Sequence, residues 1–150
     1  MLNNFKNNGN DEINDNDEDE YNEDEYTEIN ETTESNLVKC KLYEKNNKFI
    51  AIISKSSGVK GEIFIKAYVD YNQHKYDIVK IGNNAFSGAK INSISFADNS
   101  AIKIISESAF DNSEITSIYI PKSLIKTSNS MFKGASKLEK IIVDNFINSS

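Results

Sequence analysis

The sequence predicts a solenoid, mainly β or α/β, in which short parallel strands stack in register behind a disordered acidic leader. Three observations predict it. From Ile78 onward the chain repeats itself at intervals of 22 to 24 residues. Each unit closes on an apolar-x-x-apolar-x-apolar run whose last two apolar residues lie two apart and so point to one face of a strand. The charge also divides near Asn36: residues 1–36 carry 13 acids against Lys6 alone, a net of −12, whereas residues 37–150 carry 16 lysines against 10 acids, a net of +6.

The leader, residues 1–36, has few aliphatic residues, no apolar period and like charges that repel in any compact state. It buries too little apolar surface to offset the entropy of ordering, so disorder is expected. Met1 to Asn10 hold one lysine and no run of seven apolar residues, which is not the shape of a secretory signal. No stretch approaches the ~20 apolar residues that cross a bilayer as a helix. On these grounds the sequence reads as cytoplasmic, with no membrane insertion.

Strands come next. Lys48-Phe-Ile-Ala-Ile-Ile-Ser reads as one strand and Gly61-Glu-Ile-Phe-Ile-Lys-Ala as the next, with Lys55-Ser-Ser-Gly-Val-Lys as the turn between them. Three repeats then follow, about residues 78–101, 102–123 and 124–144. Phe86, Phe110 and Phe132 occupy one equivalent position, and Ile91, Ile115 and Leu138 another. The small residue three places after each Phe (Ala89, Ser113, Ala135) allows a tight return, and the ring fills the interior. A single strand with its return loop cannot bury its apolar face, but neighbours in register bury it continuously.

The repeat resembles the BspA-like leucine-rich repeat family, whose units run Ile-Gly-x-x-Ala-Phe, a small residue or Cys, then Leu-x-x-Ile-x-Ile-Pro. Ile81-Gly82-Asn83-Asn84-Ala85-Phe86 carries the first half of that pattern. Ser108-Ala109-Phe110 and Ile115-Thr116-Ser117-Ile118-Tyr119-Ile120-Pro121 carry the rest, with the chain's single proline where the family ends its strand. Ser130-Met131-Phe132 and the lack of a proline after Val143 are departures. The resemblance implies a leucine-rich-repeat-type solenoid over about residues 39–144. It also implies that residues 37–77 form an opening cap of two or three antiparallel strands, needed because the first repeat would otherwise expose its core end. After the third unit, Asp144 to Ser150 is short for a covering unit. Phe146 and Ile147 fold back as a minimal cap, or the chain is a shortened member of a longer array, or copies self-associate through that open edge.

Chemistry is sparse. The chain has one Cys (Cys40), one His (His74), no Trp and no Arg, and its serines have no positioned base beside them, so no catalytic residues are expected. One thiol excludes an internal disulfide or a four-thiolate metal site. Gly82, Gly88 and Gly134 do not form a phosphate loop, and no cofactor is expected. Asp15-Asn-Asp17-Glu-Asp19-Glu20 begins like a calcium loop but puts Glu20 where the turn needs Gly and Tyr26 where a carboxylate closes the shell, so no metal site is expected. Lysines spread over strands and turns, without arginine or clustered aromatics, argue against nucleic-acid binding.

What is left is a surface for a protein partner. In a solenoid of this type the residues between buried ones look outward along the strands. That rule selects Phe64, Ser95, Tyr119 and Ile142 as a central row, with Ser93, Ser117 and Lys140 beside it. Phe64, Tyr119 and Ile142 are apolar where alternation predicts exposure, and such a patch marks a contact surface. The family resemblance implies a cell-surface adhesion module, since members are described as surface antigens that bind host matrix proteins or other cells. The absent signal and the acidic leader point instead to an intracellular scaffold with the leader as a solubilising or regulatory arm.

Overall fold

The structure, a computed structural model, describes residues 22–127 and 131–143. The expected disorder of residues 1–21 and the expected fold-back of Phe146 and Ile147 lie outside them. The fold is a mainly β solenoid with almost no helix. Its β-strands form two sheets that face each other across one core.

The solenoid rungs each give one strand to each sheet. The three repeats supply β6 (His74–Ile81) with β7 (Lys90–Phe96), β8 (Ile104–Ile105) with β9 (Ser117–Ile120), and β10 (Lys126–Thr127) with β11 (Lys140–Val143). Ahead of them, β3 (Lys48–Ile53) and β4 (Lys60–Ile65) form a further rung: β3 pairs in parallel with β6, and β4 in parallel with β7. Sheet A therefore runs β3-β6-β8-β10, and sheet B runs β4-β7-β9-β11, with every pair parallel.

This corrects the sequence reading of residues 48–67. The two strands were expected to pair antiparallel across a turn at residues 55–60; instead that segment is a solenoid corner, and its strands enter different sheets. The return loops explain why the rung is hard to see. Phe86 N–H donates to Ala109 O at 2.8 Å and Phe110 N–H to Met131 O at 3.2 Å; in the preceding rung Ser56 N–H donates to Ala85 O at 2.7 Å. Ser56 thus stands where later rungs carry Phe. Its hydroxyl accepts from Lys39 N–H at 2.9 Å and ties the first rung to the cap instead of filling the core.

The cap is made by antiparallel strands. β2 (Lys39–Lys45) pairs with β3 through a hairpin whose turn residues, Asn46 and Asn47, both have positive φ, as the mirror-image turn of a two-residue hairpin requires. β5 (Tyr68–Tyr71) pairs with β6 in the same way through Asn72 and Gln73. Val38, Cys40 and Leu42 point from β2 and the residue before it into the core and cover its N-terminal end.

The leader also needs correction within the described residues. Glu23–Glu25 forms a 3-10 turn, and β1 (Thr27–Thr33) pairs antiparallel with β2, so residues 23–33, expected to be disordered, are ordered, with 27–33 an added strand of sheet A. The reason is tertiary. Glu25 meets Lys45 and Glu23 meets Lys80, each at 3.0 Å, and Glu34 meets Lys66 at 2.8 Å. Tyr26 packs beside Tyr43, Ile50, Ile52 and Val79, a second apolar cluster on the outer side of sheet A. Charge that repels within the isolated segment is neutralised on the domain, and the strand edge supplies the backbone partners that the segment lacks alone.

Inside, the repeat positions behave as their spacing predicts. Phe86, Ile91, Ile94, Phe110, Ile115 and Ile118 are fully buried. The rings form a ladder: Phe86 and Phe110 stack with centroids 5.8 Å apart at 12°, Phe110 and Phe132 at 5.6 Å and 23°. Ala89, Ser113 and Ala135 are buried at the tight returns.

Candidate binding face

The outward side of sheet B is built by strand alternation. On β9, Ile118 and Ile120 face the core, so Tyr119 between them faces out; on β4, Ile63 and Ile65 face in and Phe64 faces out. Register aligns these positions across rungs. Glu62 lies opposite Ser93 and Phe64 opposite Ser95; Ser93 lies opposite Ser117; Lys140 lies opposite Ser117 and Ile142 opposite Tyr119.

Phe64 is 53% exposed and Tyr119 48%, two of the few large apolar side chains left open among the described residues. They stand two rungs apart, about 9.6 Å at the ordinary strand spacing. Between them the floor is Ser93, Ser95 and Ser117, all half-buried, bordered by Asn92 and Thr116. Thr116 Oγ1 donates to Asn92 O at 3.1 Å, which holds that border in place. On the other side of Tyr119 a second shallow hollow is lined by Ser95, Asp98, Lys122, Ser123 and Ile142.

Ile142 is half-buried, less open than alternation predicts. Its neighbour Ile141, expected inside because it aligns with buried Ile118, is 42% exposed. Ile118 has β7 on one side and β11 on the other, whereas among the described residues β11 is the last strand of sheet B. Asn92, Thr116, Asp98 and Lys122 were not selected from sequence: Asn92 is the residue of β7 skipped at the register shift against β4, and Thr116, Asp98 and Lys122 lie just outside their strands, so simple alternation does not place them.

The remaining reactive groups do not converge. The Cys40 thiol is wholly buried in the core, and its pKa is pushed up to about 12, by burial first and then by the charge of Glu34. A thiol so held is a poor nucleophile. His74 stacks on Phe49 with centroids 4.1 Å apart, on the far side of the molecule in the β5–β6 hairpin. Among the described residues no group of three or more His, Cys, Asp or Glu side chains is placed to hold a metal ion, and no helix is long and apolar enough to cross a membrane.

Comparison with known proteins gives a consistent picture. The model of the BspA type leucine-rich repeat region (6 copies) matches residues 59–150, starting inside the rung that sequence inspection missed. No curated protein matches in sequence. Among solved structures, the chain is similar to the pneumococcal vaccine antigen PcpA, at 19% identity and TM-score 0.52, over 79% of this chain and 39% of that one. It is also similar to a leucine-rich repeat protein from Bacteroides ovatus ATCC 8483, at 27% identity and TM-score 0.50, over 76% of this chain and 27% of that one. The chain therefore spans well under half the length of either structure.

Proposed function

Because the chain belongs to the BspA-type leucine-rich repeat family, whose stacked-repeat fold generally serves protein interaction, we propose that it is a non-enzymatic binding module that holds a protein partner on the outward side of sheet B. One observation carries this reading. Two large rings, Phe64 and Tyr119, are held open on rigid strands over a floor of serines, on a surface to which all four rungs contribute a strand of sheet B. Aromatic side chains exposed on a rigid scaffold lose little entropy on contact and bury much area, which is the character of interface hot spots. The serine floor supplies hydroxyls that adapt to a partner's backbone. Ser93, Ser95 and Ser117 are the floor, Lys140 and Ile142 its far border.

The working context we propose is the cell surface. PcpA is named as a vaccine antigen, and the resemblance to surface antigens that adhere to host proteins points the same way. The competing intracellular reading, with the acidic segment as a regulatory arm, draws support from the ion pairs of Glu23, Glu25 and Glu34, which hold that segment against the domain. Labelling of intact cells with an impermeant reagent separates the two: a protein labelled only after lysis is no adhesin.

The binding face is tested by capture. The double substitution Tyr119→Ser with Phe64→Ser should weaken partner retention by about thirtyfold or more, the loss of one hot spot of ~2 kcal/mol, while circular dichroism and thermal midpoint stay near those of the parent. Unchanged retention would remove the assignment.

A further inference from the structure

Sheets A and B end differently on the N-terminal side. Among the described residues, sheet A continues past β3 into β2 and β1, whereas sheet B stops at β4. The direction of the β4 backbone can be read from its hydrogen bonds. Ile65 O accepts from Ala97 N–H at 3.0 Å on the side of β7, so peptide groups of alternate residues, Glu62 and Phe64, point the other way, toward the free edge. Among the described residues, Phe64 O accepts there from the side-chain amide of Asn36, at 3.3 Å.

Along that edge the outward side chains are Glu62, Phe64 and, just past the strand, Lys66, all exposed. Acid, aromatic ring and base at alternate places form a triplet that is its own complement when reversed. We propose that a second copy of this chain pairs with β4 as an antiparallel strand, about a two-fold axis at Phe64. Glu62 then lies opposite Lys66 of the other copy, twice, and the two Phe64 rings lie side by side.

The alternatives within the same edge are worse. An axis at Glu62 sets two carboxylates opposite each other, and an axis at Ile63 sets Glu62 against a ring; like charges directly opposite destabilise a strand pair, whereas opposite charges and aromatic pairs favour it. Gly61 has φ +80 and sits at a register shift against β7, so the strand is bulged before Glu62 and pairing is confined to residues 62–66. Asn36 gives up one long bond, and Phe64 O receives a backbone N–H in exchange. Lys66 also meets Glu34, but more than half of its side chain is open, leaving its ammonium within reach of a second carboxylate. The result is an isologous contact, in which the two B sheets form one continuous sheet of eight strands with both Tyr119 rows on the same side. A partner with repeated epitopes would meet two faces at once, and the gain would come from effective concentration and not from new contacts.

The test uses the full chain in sedimentation velocity from low to high micromolar concentration. The parent should shift from monomer to dimer as concentration rises. Glu62→Lys alone, and Lys66→Glu alone, should each weaken association by about tenfold or more, because each creates like-charge pairs. The double substitution Glu62→Lys with Lys66→Glu should dimerise again. An equimolar mixture of the two single variants should form a mixed dimer, since lysines of one face acids of the other. Circular dichroism establishes that each variant is folded. A parent that stays monomeric throughout, a dimer indifferent to the single reversals, or a double variant and mixture that both fail to associate would each overturn the proposal; indifference to the reversals would move the contact to another surface, such as the β10–β11 edge.

Discussion

The inner rungs of the solenoid and its last rung carry the same repeat and bury it differently. Phe86 and Phe110 are fully buried, while Phe132, at the same position one unit later, is only partly so; Ile94 and Ile118 are fully buried, while Ile141 is 42% exposed. At the N-terminal end the core is closed by Val38, Cys40 and Leu42 from the cap. Among the described residues nothing equivalent follows β10 and β11. A repeat position is therefore not intrinsically a core position. It becomes one when a rung lies on both sides, which is the nearest-neighbour logic of solenoids.

The ring ladder carries the largest difference between the inner rungs and the last. Phe110→Ala removes a ring stacked on both sides and should cost about 3–5 kcal/mol of unfolding free energy by urea titration, whereas Phe132→Ala should cost less than half as much. Equal losses would mean that the last rung is as well covered as the middle one. Next in size is Gly82→Ala, at the corner between β6 and its return. Gly82 N–H donates to Ile53 O at 2.9 Å, and an added Cβ would lie 2.8 Å from that same oxygen, so the first two rungs must separate. A loss of about 1–3 kcal/mol is expected.

The capped end should also be the alkali-sensitive one. The Cys40 thiol and the Tyr43 phenol are each pushed up to about 12, chiefly by burial, from ordinary values of 9.0 and 10.0. The unfolded chain ionises these groups first, so their contribution is fully present below about pH 9 and is lost as pH rises from there toward 12. The urea midpoint should fall between pH 8 and pH 11 by more in the parent than in Cys40→Ala, and a thiol reagent should modify Cys40 only as the protein unfolds. A Cys40 that reacts at the rate of a free thiol would contradict its burial. Smallest are the exposed terms: Glu25→Gln and Ile141→Ala should each cost about 1 kcal/mol or less.

Legibility followed the same division. Phe86, Phe110, Ile91, Ile115 and the small residues behind the rings could be placed from spacing alone, because a residue inside a stack has one environment whichever rung it belongs to. The rung of β3 and β4 could not, because Ser56 replaces the ring that marks the others. The hairpin turns at Asn46-Asn47 and Asn72-Gln73 carried a readable signal, since Asn adopts positive φ more readily than most residues. The strand β1 carried almost none. Thr27–Thr33 contains two acids and is nearly all exposed, and it is ordered by partners in β2, with ion pairs of Glu23, Glu25 and Glu34 holding the chain on either side of it. On sheet B, alternation selected Phe64 and Tyr119, while the exposure of Ile141 depended on what lies beyond it.

Spacing alone is enough for the solenoid, its period, the inward ring ladder and the outward position of Tyr119, because the three repeats from Ile78 onward share it. Long-range packing sets which strands share a sheet, that residues 23–33 join the cap, and that, among the described residues, sheet B ends at β4. Each of these depends on hydrogen bonds and ion pairs between residues distant in the chain, and such pairings leave no local period to read.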